Sequence, residues 1–505
     1  MKTNLTGIFS QISLTYKTAF RILNPCKRKF LSNSVFAKNV IHQISSDLPH
    51  SLKCIFLMKR IFLINPACGP NIAKKSKVLG LPPYALLILA SITPEDRFHI
   101  EIIDEGFETI DFDADVDLVA ITCLTYTAPR AYLIGDRFME KRVPVVMGGI
   151  HVTVLPDEAA AHATSVVVGE AEEIWPRLLN DFESGHLQSV YKMERFPDIS
   201  RLPAMKRQYL KAKYVINTIQ TTRGCPHNCN YCAVTHLNGG SYRYRDLDLV
   251  IKEIQDMNTK KFFITDDNII GMGKHAENRA LELFDRMQTE RVEWAAQSTI
   301  NIAYKPNLLK SAHKGGARAL LVGLESIEPD VLKGFRKTIN LRHGKADHMV
   351  TAIQKIHDHG IAVIGSFIFS PLYSTPESID RTVDFAIKNK IDAIQIFILT
   401  PFPGSEIYED CKNQGNLVLT NYPDDWEAYN GFAVVYKTKT MDAEMMYRKM
   451  FESYKRLSRL STSLKRGFNT YRFTKSFLSA GLALFWNQGV YSTLKSVPQL
   501  KRYSI

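Results

Sequence analysis

The chain has 505 residues but no run of 18 or more apolar ones, so no membrane-spanning helix is predicted. Its eight cysteines, Cys26, Cys54, Cys68, Cys123, Cys225, Cys229, Cys232 and Cys411, lack the dense even spacing of a secreted disulfide scaffold. A reducing, cytoplasmic compartment is therefore expected. Zinc-finger spacing and the aromatic-basic motifs of single-strand binders are missing too, which argues against nucleic-acid recognition despite a formal charge of +13 and a pI of about 9.2. Acidic residues are absent from residues 1–46, which carry Lys2, Lys17, Arg21, Lys27, Arg28, Lys29 and Lys38. Three readings stand for that segment: an organellar transit peptide, a surface-binding extension drawn to anionic lipid or nucleic acid, or sequence upstream of a true start at Met58. The third is preferred, because regular patterning begins so cleanly at Met58, directly before "KRIFLINP".

From there short apolar runs alternate with helical stretches. "RIFLIN" (60–65), "HIEIID" (99–104), "DLVAIT" (117–122), "VPVVMGG" (143–149) and "SVVVG" (165–169) are continuous Val, Ile and Leu strands, as expected of a sheet covered on both faces. Helices are expected at about 83–92, 128–141, 156–162 and 170–182. The alternation predicts right-handed crossovers and a doubly wound, Rossmann-like α/β domain. Ligands of such sheets sit beyond the carboxyl ends of the strands. Here those ends read "NPACGP" (65–70), "TCLTYT" (122–127), "GGIH" (148–151) and "GEAEE" (169–173). These small, Gly-bearing loops would let backbone amides approach a bulky ligand, although ordinary turn chemistry explains them equally well.

A second β/α series follows a connector rich in Arg, Lys and Pro. Its strands read 214–220, 261–267, 293–299, 319–325, 362–369 and 393–399, which predicts a partial, open (β/α)6 barrel rather than a closed eight-stranded one. The expected division is a basic extension at 1–57, a first domain at 58–190, a connector at 191–213, the barrel at 214–415 and a helical C-terminal extension at 416–505. Directly after the first barrel strand comes "GCPHNCNYC", with Cys225, Cys229 and Cys232 in one compact loop. Three thiolates can hold a cubic [4Fe-4S] cluster and leave one iron open. A closed zinc site with His227 or His236 as fourth ligand is the alternative.

The spacing C-x3-C-x2-C, with Tyr231 just before the last cysteine, resembles the signature of the radical S-adenosylmethionine superfamily. "LGLPPYALLILAS" (79–91), "ITCLTYTAPRAY" (121–132), "VPVVMGGIHVTVLPDEA" (143–159) and "VVVGEAEEIWPRLL" (166–179) resemble the cobalamin-binding domain upstream of that motif in one large subgroup. With "FFITDDNIIG", "LLVGLESIEPDVL" and "LTPFPGSEIYE", the likeness spans about residues 58–440 and is similar in layout to the hopanoid methylases, the bacteriochlorophyllide methylases and the anaerobic cyclase. It implies a [4Fe-4S] cluster on the three cysteines and S-adenosylmethionine on the open iron, cleaved to a 5'-deoxyadenosyl radical that abstracts hydrogen from an unactivated carbon. It also implies a cobalamin facing the barrel mouth. Methylation would consume two equivalents of S-adenosylmethionine per product; an oxidative cyclase is the alternative within the same chemistry.

By the same resemblance, Tyr231, Asp266, Asp267, Gln297, Gly323, Glu325 and Ser326 are expected near S-adenosylmethionine. Thr122, Thr125, Gly148, Gly149, His151, Gly169 and Glu170 are expected near cobalamin. Other readings stand beside these: Asp266 and Asp267 could cap the following helix, Glu325 could pair with Arg318, and Gly323 and Gly365 could be packing glycines. "DEGFETI" (104–110) departs from the D-x-H-x-x-G motif that supplies a lower histidine to cobalt, so His151 is taken as a loop residue near the ligand rather than as a cobalt ligand.

The tail is rich in aromatics, Lys and Arg, and a basic amphipathic helix followed by "FLSAGLALFW" (477–486) either packs on the barrel or lies on a membrane surface. The expected partners are a small hydrophobic substrate, such as a chlorin carboxylate or a polycyclic lipid, an electron donor such as flavodoxin or ferredoxin, and a peripheral membrane contact at the inner surface. A nucleic-acid binder with a structural zinc, and a tRNA methylthiotransferase, are the rivals. The latter would need a second cysteine set in the first domain, where Cys68 and Cys123 are isolated.

Overall fold

A computed structural model describes residues 58–67, 80–212, 214–341 and 346–495; the extension 1–57, the loop 68–70 and Cys26, Cys54 and Cys68 lie outside them. The chain divides into two compact units, residues 60–94 with 100–505 and residues 1–59 with 95–99. In the second unit the described residues supply only a bend at Met58, the first residue of one strand, a turn at 95–97 and the first residues of another strand. Everything below concerns the first.

The apolar runs of the first half become β1 (Lys59–Asn65), β2 (Phe98–Asp104), β3 (Leu118–Thr122), β4 (Val145–Gly148) and β5 (Ser165–Val168). They join β6 (Val190–Lys192) in one sheet of order β2-β1-β3-β4-β5-β6. The pairs β1·β3, β3·β4, β4·β5 and β5·β6 are parallel. β3 is buried along four consecutive residues, the burial that an unbroken Leu-Val-Ala-Ile run serves. β6 escaped the sequence because it is a three-residue edge strand with only Tyr191 buried.

Four helices follow the expected alternation: Tyr84–Ile92, Ala128–Glu140, Pro156–Ala160 and Ile174–Ser184. The last begins later than expected, since Gly169 has φ +97° and 169–173 stays a loop.

The second half is the predicted open barrel. β7 (Asn217–Ile219), β10 (Lys261–Ile264), β11 (Glu293–Ser298), β12 (Ala317–Glu325), β13 (Ala362–Phe369) and β14 (Ala393–Ile398) lie side by side in chain order, every neighbouring pair parallel. A two-stranded antiparallel hairpin, β8 (Thr222–Arg223) with β9 (Arg243–Tyr244), brackets the cysteine loop and was not anticipated.

The open edge does not stay bare. Tyr454, on the helix Ala443–Leu457, holds the N–H and C=O of Ile396 with its hydroxyl. Asn487, on the helix Phe477–Leu494, does the same for Ile394 with its amide. Leu482 and Trp486 of that last helix pack against Ala319, Ala362 and Ala393. Small residues at these strand positions leave room for a helix there.

A buried ion pair of the barrel half anchors Tyr84 of the first half. Arg245 donates to Glu253 at 2.8 Å and to the Tyr84 hydroxyl at 2.7 Å, and Arg207 of the connector reaches the other Glu253 oxygen at 2.8 Å. Arg245 and Glu253 are fully buried, so their charges persist only because each is paired and hydrogen-bonded.

Candidate active site

β7 delivers the chain to the barrel mouth, where Gly224 makes the turn into the cysteine loop. Its φ is +92°, and a Cβ there would lie 2.2 Å from the Ser241 carbonyl oxygen, so glycine is required. The Cys225 N–H donates to the Gly239 carbonyl at 3.2 Å and the Cys232 N–H to the Cys229 carbonyl at 3.1 Å. The Thr235 hydroxyl donates to the carbonyls of Cys225 and His227, which fixes the loop's curvature. All three thiols are free, with Cys229 buried and the other two half-buried. Burial pushes each pKa up, Cys232 to about 11, while the Lys337 ammonium pulls each down. Among the described residues no three His, Cys, Asp or Glu side chains stand as close as one metal ion requires. Thiols set around a loop suit a polynuclear centre, whose ligands lie further apart.

Behind the cysteines is a charged cluster. The Tyr231 hydroxyl donates to Glu325 Oε1 at 3.0 Å, and Lys337 Nζ lies 3.3 Å from the same oxygen. Burial opposes the Lys337 charge, but Glu325 and the thiols of Cys229 and Cys232 outweigh it and raise its pKa. Glu325 ends β12 with φ +63°, a left-handed conformation that a non-glycine residue holds only when its surroundings impose it. A Cβ on Gly323 would lie 2.4 Å from Glu325 Oε1, so the glycine makes room for that ion pair. The partner of Glu325 is Lys337; Arg318 pairs with Glu293 instead. Gly365 faces Ile391 and Leu324 and is a packing glycine.

The other candidates near the cysteine loop have these partners within the protein. Asp266 is fully buried and accepts from the backbone N–H and the hydroxyl of Thr221, both at 2.5 Å. Asp267 accepts from the Gly224 N–H at 2.9 Å and from Asn238 at 3.3 Å, so it steadies the residue before Cys225. Neither caps the following helix, Lys274–Met287, whose N-cap is Gly273. Ser326 accepts from the Glu328 N–H in a turn, and Gln297 is half-buried on β11.

At the carboxyl ends of β3, β4 and β5 lies a cavity of about 330 Å³, the size of a small-molecule site. Thr122, Gly148, Gly149, Gly169 and Glu170 line it, with an apolar wall that includes Ile88 and Trp175. Gly149 has φ +102°, and a Cβ there would meet the Cys123 backbone at 2.8 Å. Gly148 is under no such constraint: its Cβ would have ordinary contact with Val167, and its missing side chain leaves the cavity wall open. Thr125 and His151 are not on that wall. The His151 ring is fully buried, its Nε2 3.0 Å from the Tyr132 hydroxyl and 3.3 Å from Glu158, which also accepts from Trp426 Nε1 at 2.9 Å. It joins the first domain to the C-terminal segment.

Gln220 and Arg223 of the barrel line the same cavity. Arg223, two residues before Cys225, donates to Glu170 and forms an ion pair with Glu172, both at 2.5 Å. Arg243 of the partner strand β9 adds a second guanidinium to Glu170. The cysteine loop and the cavity therefore share a buried ionic hinge-pin.

Residues 219–386 match the Radical SAM superfamily and residues 78–179 the B12 binding domain. Bacteriochlorophyllide d C-8(2)-methyltransferase of Chlorobaculum tepidum is 32% identical over 73% of this chain and 84% of its own length. Hopanoid C-2 methylase of Rhodopseudomonas palustris is 25% identical over 67% of this chain and 66% of its own. The radical S-adenosylmethionine methyltransferase TsrM from Kitasatospora setae, solved with cobalamin and a [4Fe-4S] cluster, shares the fold with a TM-score of 0.57 at 17% identity, over 72% of this chain and 76% of that one.

The chain belongs to the cobalamin-binding radical S-adenosylmethionine methyltransferases.

The cofactors of this methyltransferase are accordingly a [4Fe-4S] cluster, S-adenosylmethionine and cobalamin. The residues present fit the first and the last: a glycine-turned loop of three free thiols beside a buried cation, and an apolar cavity floored by glycines. Among the described residues no histidine lines the cavity, in keeping with the missing D-x-H-x-x-G motif. Gly148→Val should cost most of the corrinoid retained on purification while leaving the melting temperature and iron content near wild type, checked by absorbance and iron assay; a simultaneous loss of iron would mean that the valine unfolds the site. Lys337, Glu172 and Arg243 carry no local signal in the sequence that marks them as site residues. The one local signal was for Arg223, a basic residue set directly before Gly-Cys.

Proposed function

We propose that this methyltransferase acts on an unactivated carbon of a large hydrophobic biosynthetic intermediate, a chlorin pigment or a polycyclic lipid, with Cys225, Cys229 and Cys232 holding the cluster. The observation that carries the reading is the shared wall: Arg223 lines the cavity and stands two residues from Cys225, so two cofactor sites adjoin at the barrel mouth. When bound, the cluster supplies the electron that cleaves S-adenosylmethionine and the cobalamin supplies the methyl group. The chain's own part is positioning. Lys337 offers a buried cation for a carboxylate, and Glu325, oriented by Tyr231, offers an acceptor for an amino group or hydroxyl. Thr122, Gly148, Gly149 and Gly169 shape the corrinoid cavity, while Glu170 holds Arg223 and through it the cysteine loop. The one-electron reductant would be a small carrier such as flavodoxin or ferredoxin. Among the described residues no helix is long and apolar enough to cross a membrane, so a lipid-soluble substrate would be met through a peripheral contact.

The test is incubation of reconstituted protein, anaerobically and with reductant, with methyl-labelled S-adenosylmethionine and pigment or lipid extracts. Label is expected in one chlorin or polycyclic product by mass spectrometry. Cleavage of S-adenosylmethionine with label in neither class would overturn the substrate reading.

A further inference from the structure

The last helix, Phe477–Leu494, carries no charged residue, and its first ten positions, Phe477 to Trp486, are apolar but for Ser479, a pattern suited to a helix buried on most sides. One side packs on the barrel, with Ser479, Ala483, Asn487 and Leu494 buried and Leu482 and Trp486 half-buried against the strand alanines. The other does not. Phe477 is 80% exposed and Phe485, two turns on, 62%.

The preceding helix, Leu460–Thr474, continues the same surface. Leu460, Leu464, Phe468 and Tyr471 stand at i, i+4, i+8 and i+11, which places them in one stripe along the helix. Leu460 and Phe468 are each 65% exposed, and the Tyr471 ring lies 4.9 Å from that of Phe477, so stripe and helix tip are continuous. The opposite face, through Ser463, Arg466, Thr470 and Thr474, is buried. Lys465 and Arg472 each follow a stripe residue, about 100° further round the helix, and exposed Lys475 closes the turn between the helices. None of these three cations forms an ion pair among the described residues.

An apolar stripe with cations along one flank suits an anionic lipid surface, not a second protein core. Charge narrows the choice of occupant. Residues 453–505 contain ten Lys and Arg and no Asp or Glu. A second copy meeting this face with its own would bring like charges together. The acid-free segment 1–46 of the same chain would do the same.

We infer that the hairpin formed by helices Leu460–Thr474 and Phe477–Leu494 docks the protein on an anionic lipid bilayer, Phe468, Phe477 and Phe485 entering the interface and Lys465, Arg472 and Lys475 meeting the headgroups. The docking deepens the peripheral contact of the proposed function but rests on this surface alone. Sedimentation with vesicles needs no turnover, so the inference fails or stands separately from the substrate reading.

Full-length protein should co-sediment with phosphatidylglycerol vesicles, weakly with phosphatidylcholine vesicles, and should be released by high salt. Phe468→Ser with Phe477→Ser and Phe485→Ser should weaken binding about 10-fold or more, with unchanged melting temperature and iron content. Lys465→Gln with Arg472→Gln and Lys475→Gln should weaken it roughly 100-fold, as expected when three cations leave an anionic surface. Wild-type protein remaining in the supernatant, or either triple variant binding like wild type, would overturn the inference. So would light scattering that shows a dimer converted to monomer by the Phe variants, since the face would then be a contact between copies.

Discussion

Changing Cys225, Cys229 and Cys232 together to alanine should yield folded protein that takes up almost none of the about four irons per chain that the reconstituted wild type holds. The fold should survive, because the loop is shaped by backbone bonds and by Thr235 rather than by the thiols. The effect on iron should be near total even for single changes. Two thiolates leave two of the irons without a protein ligand, and a cubic cluster so held is readily lost. Iron and sulfide assays with the characteristic visible absorbance measure this, and circular dichroism checks the fold. Full iron retention in the triple variant, or one zinc per wild-type chain, would remove the assignment of the three cysteines. Cleavage of S-adenosylmethionine should vanish with the iron.

Lys337→Met should produce the next largest effect, in two separable parts. It strands Glu325 as a buried, unpaired carboxylate, an expected destabilisation of about 3–5 kcal/mol seen as a shift in the denaturant midpoint. It also removes a buried cation beside the cysteine loop, so affinity for S-adenosylmethionine should fall. Adding Glu325→Leu separates the two. A methionine and a leucine can pack where the ion pair stood, so stability should return to near wild type, whereas S-adenosylmethionine affinity measured by equilibrium dialysis should stay low. If the double variant regains the affinity as well, Lys337 and Glu325 are purely structural partners and neither holds S-adenosylmethionine.

What could be read from the sequence was what is local along it. The cysteine loop shares one short segment, and the strand-end glycines belong to continuous apolar runs whose period gives both the strand and its end. Thr122, Gly148, Gly149 and Gly169 could therefore be placed on one sheet edge, and they do line one cavity. What stayed hidden depends on which way a side chain turns after folding. His151 sits two residues from Gly149 in the chain, yet its ring is drawn away from the cavity by Tyr132 and Glu158. Asp266 and Asp267 are neighbours with different duties because, in the irregular segment just past β10, one side chain meets Thr221 and the other the Gly224 N–H. Lys337 lies twelve residues beyond Glu325, after a short helix, and nothing in its flanks marks it as a buried ion.

The ionic hinge-pin between the domains has a consequence for how such enzymes can be recombined. Glu170 and Glu172 come from the corrinoid half, Arg223 and Arg243 from the barrel half, and all four are largely buried. Among the described residues each of these charges finds its ion-pair partner in the other half. Exchanging either half for that of a relative without the matching charges would leave carboxylates or guanidiniums facing apolar surroundings, in the strand that leads into the cysteines. The two domains resemble interchangeable parts in their folds, yet as parts they come only as a matched pair.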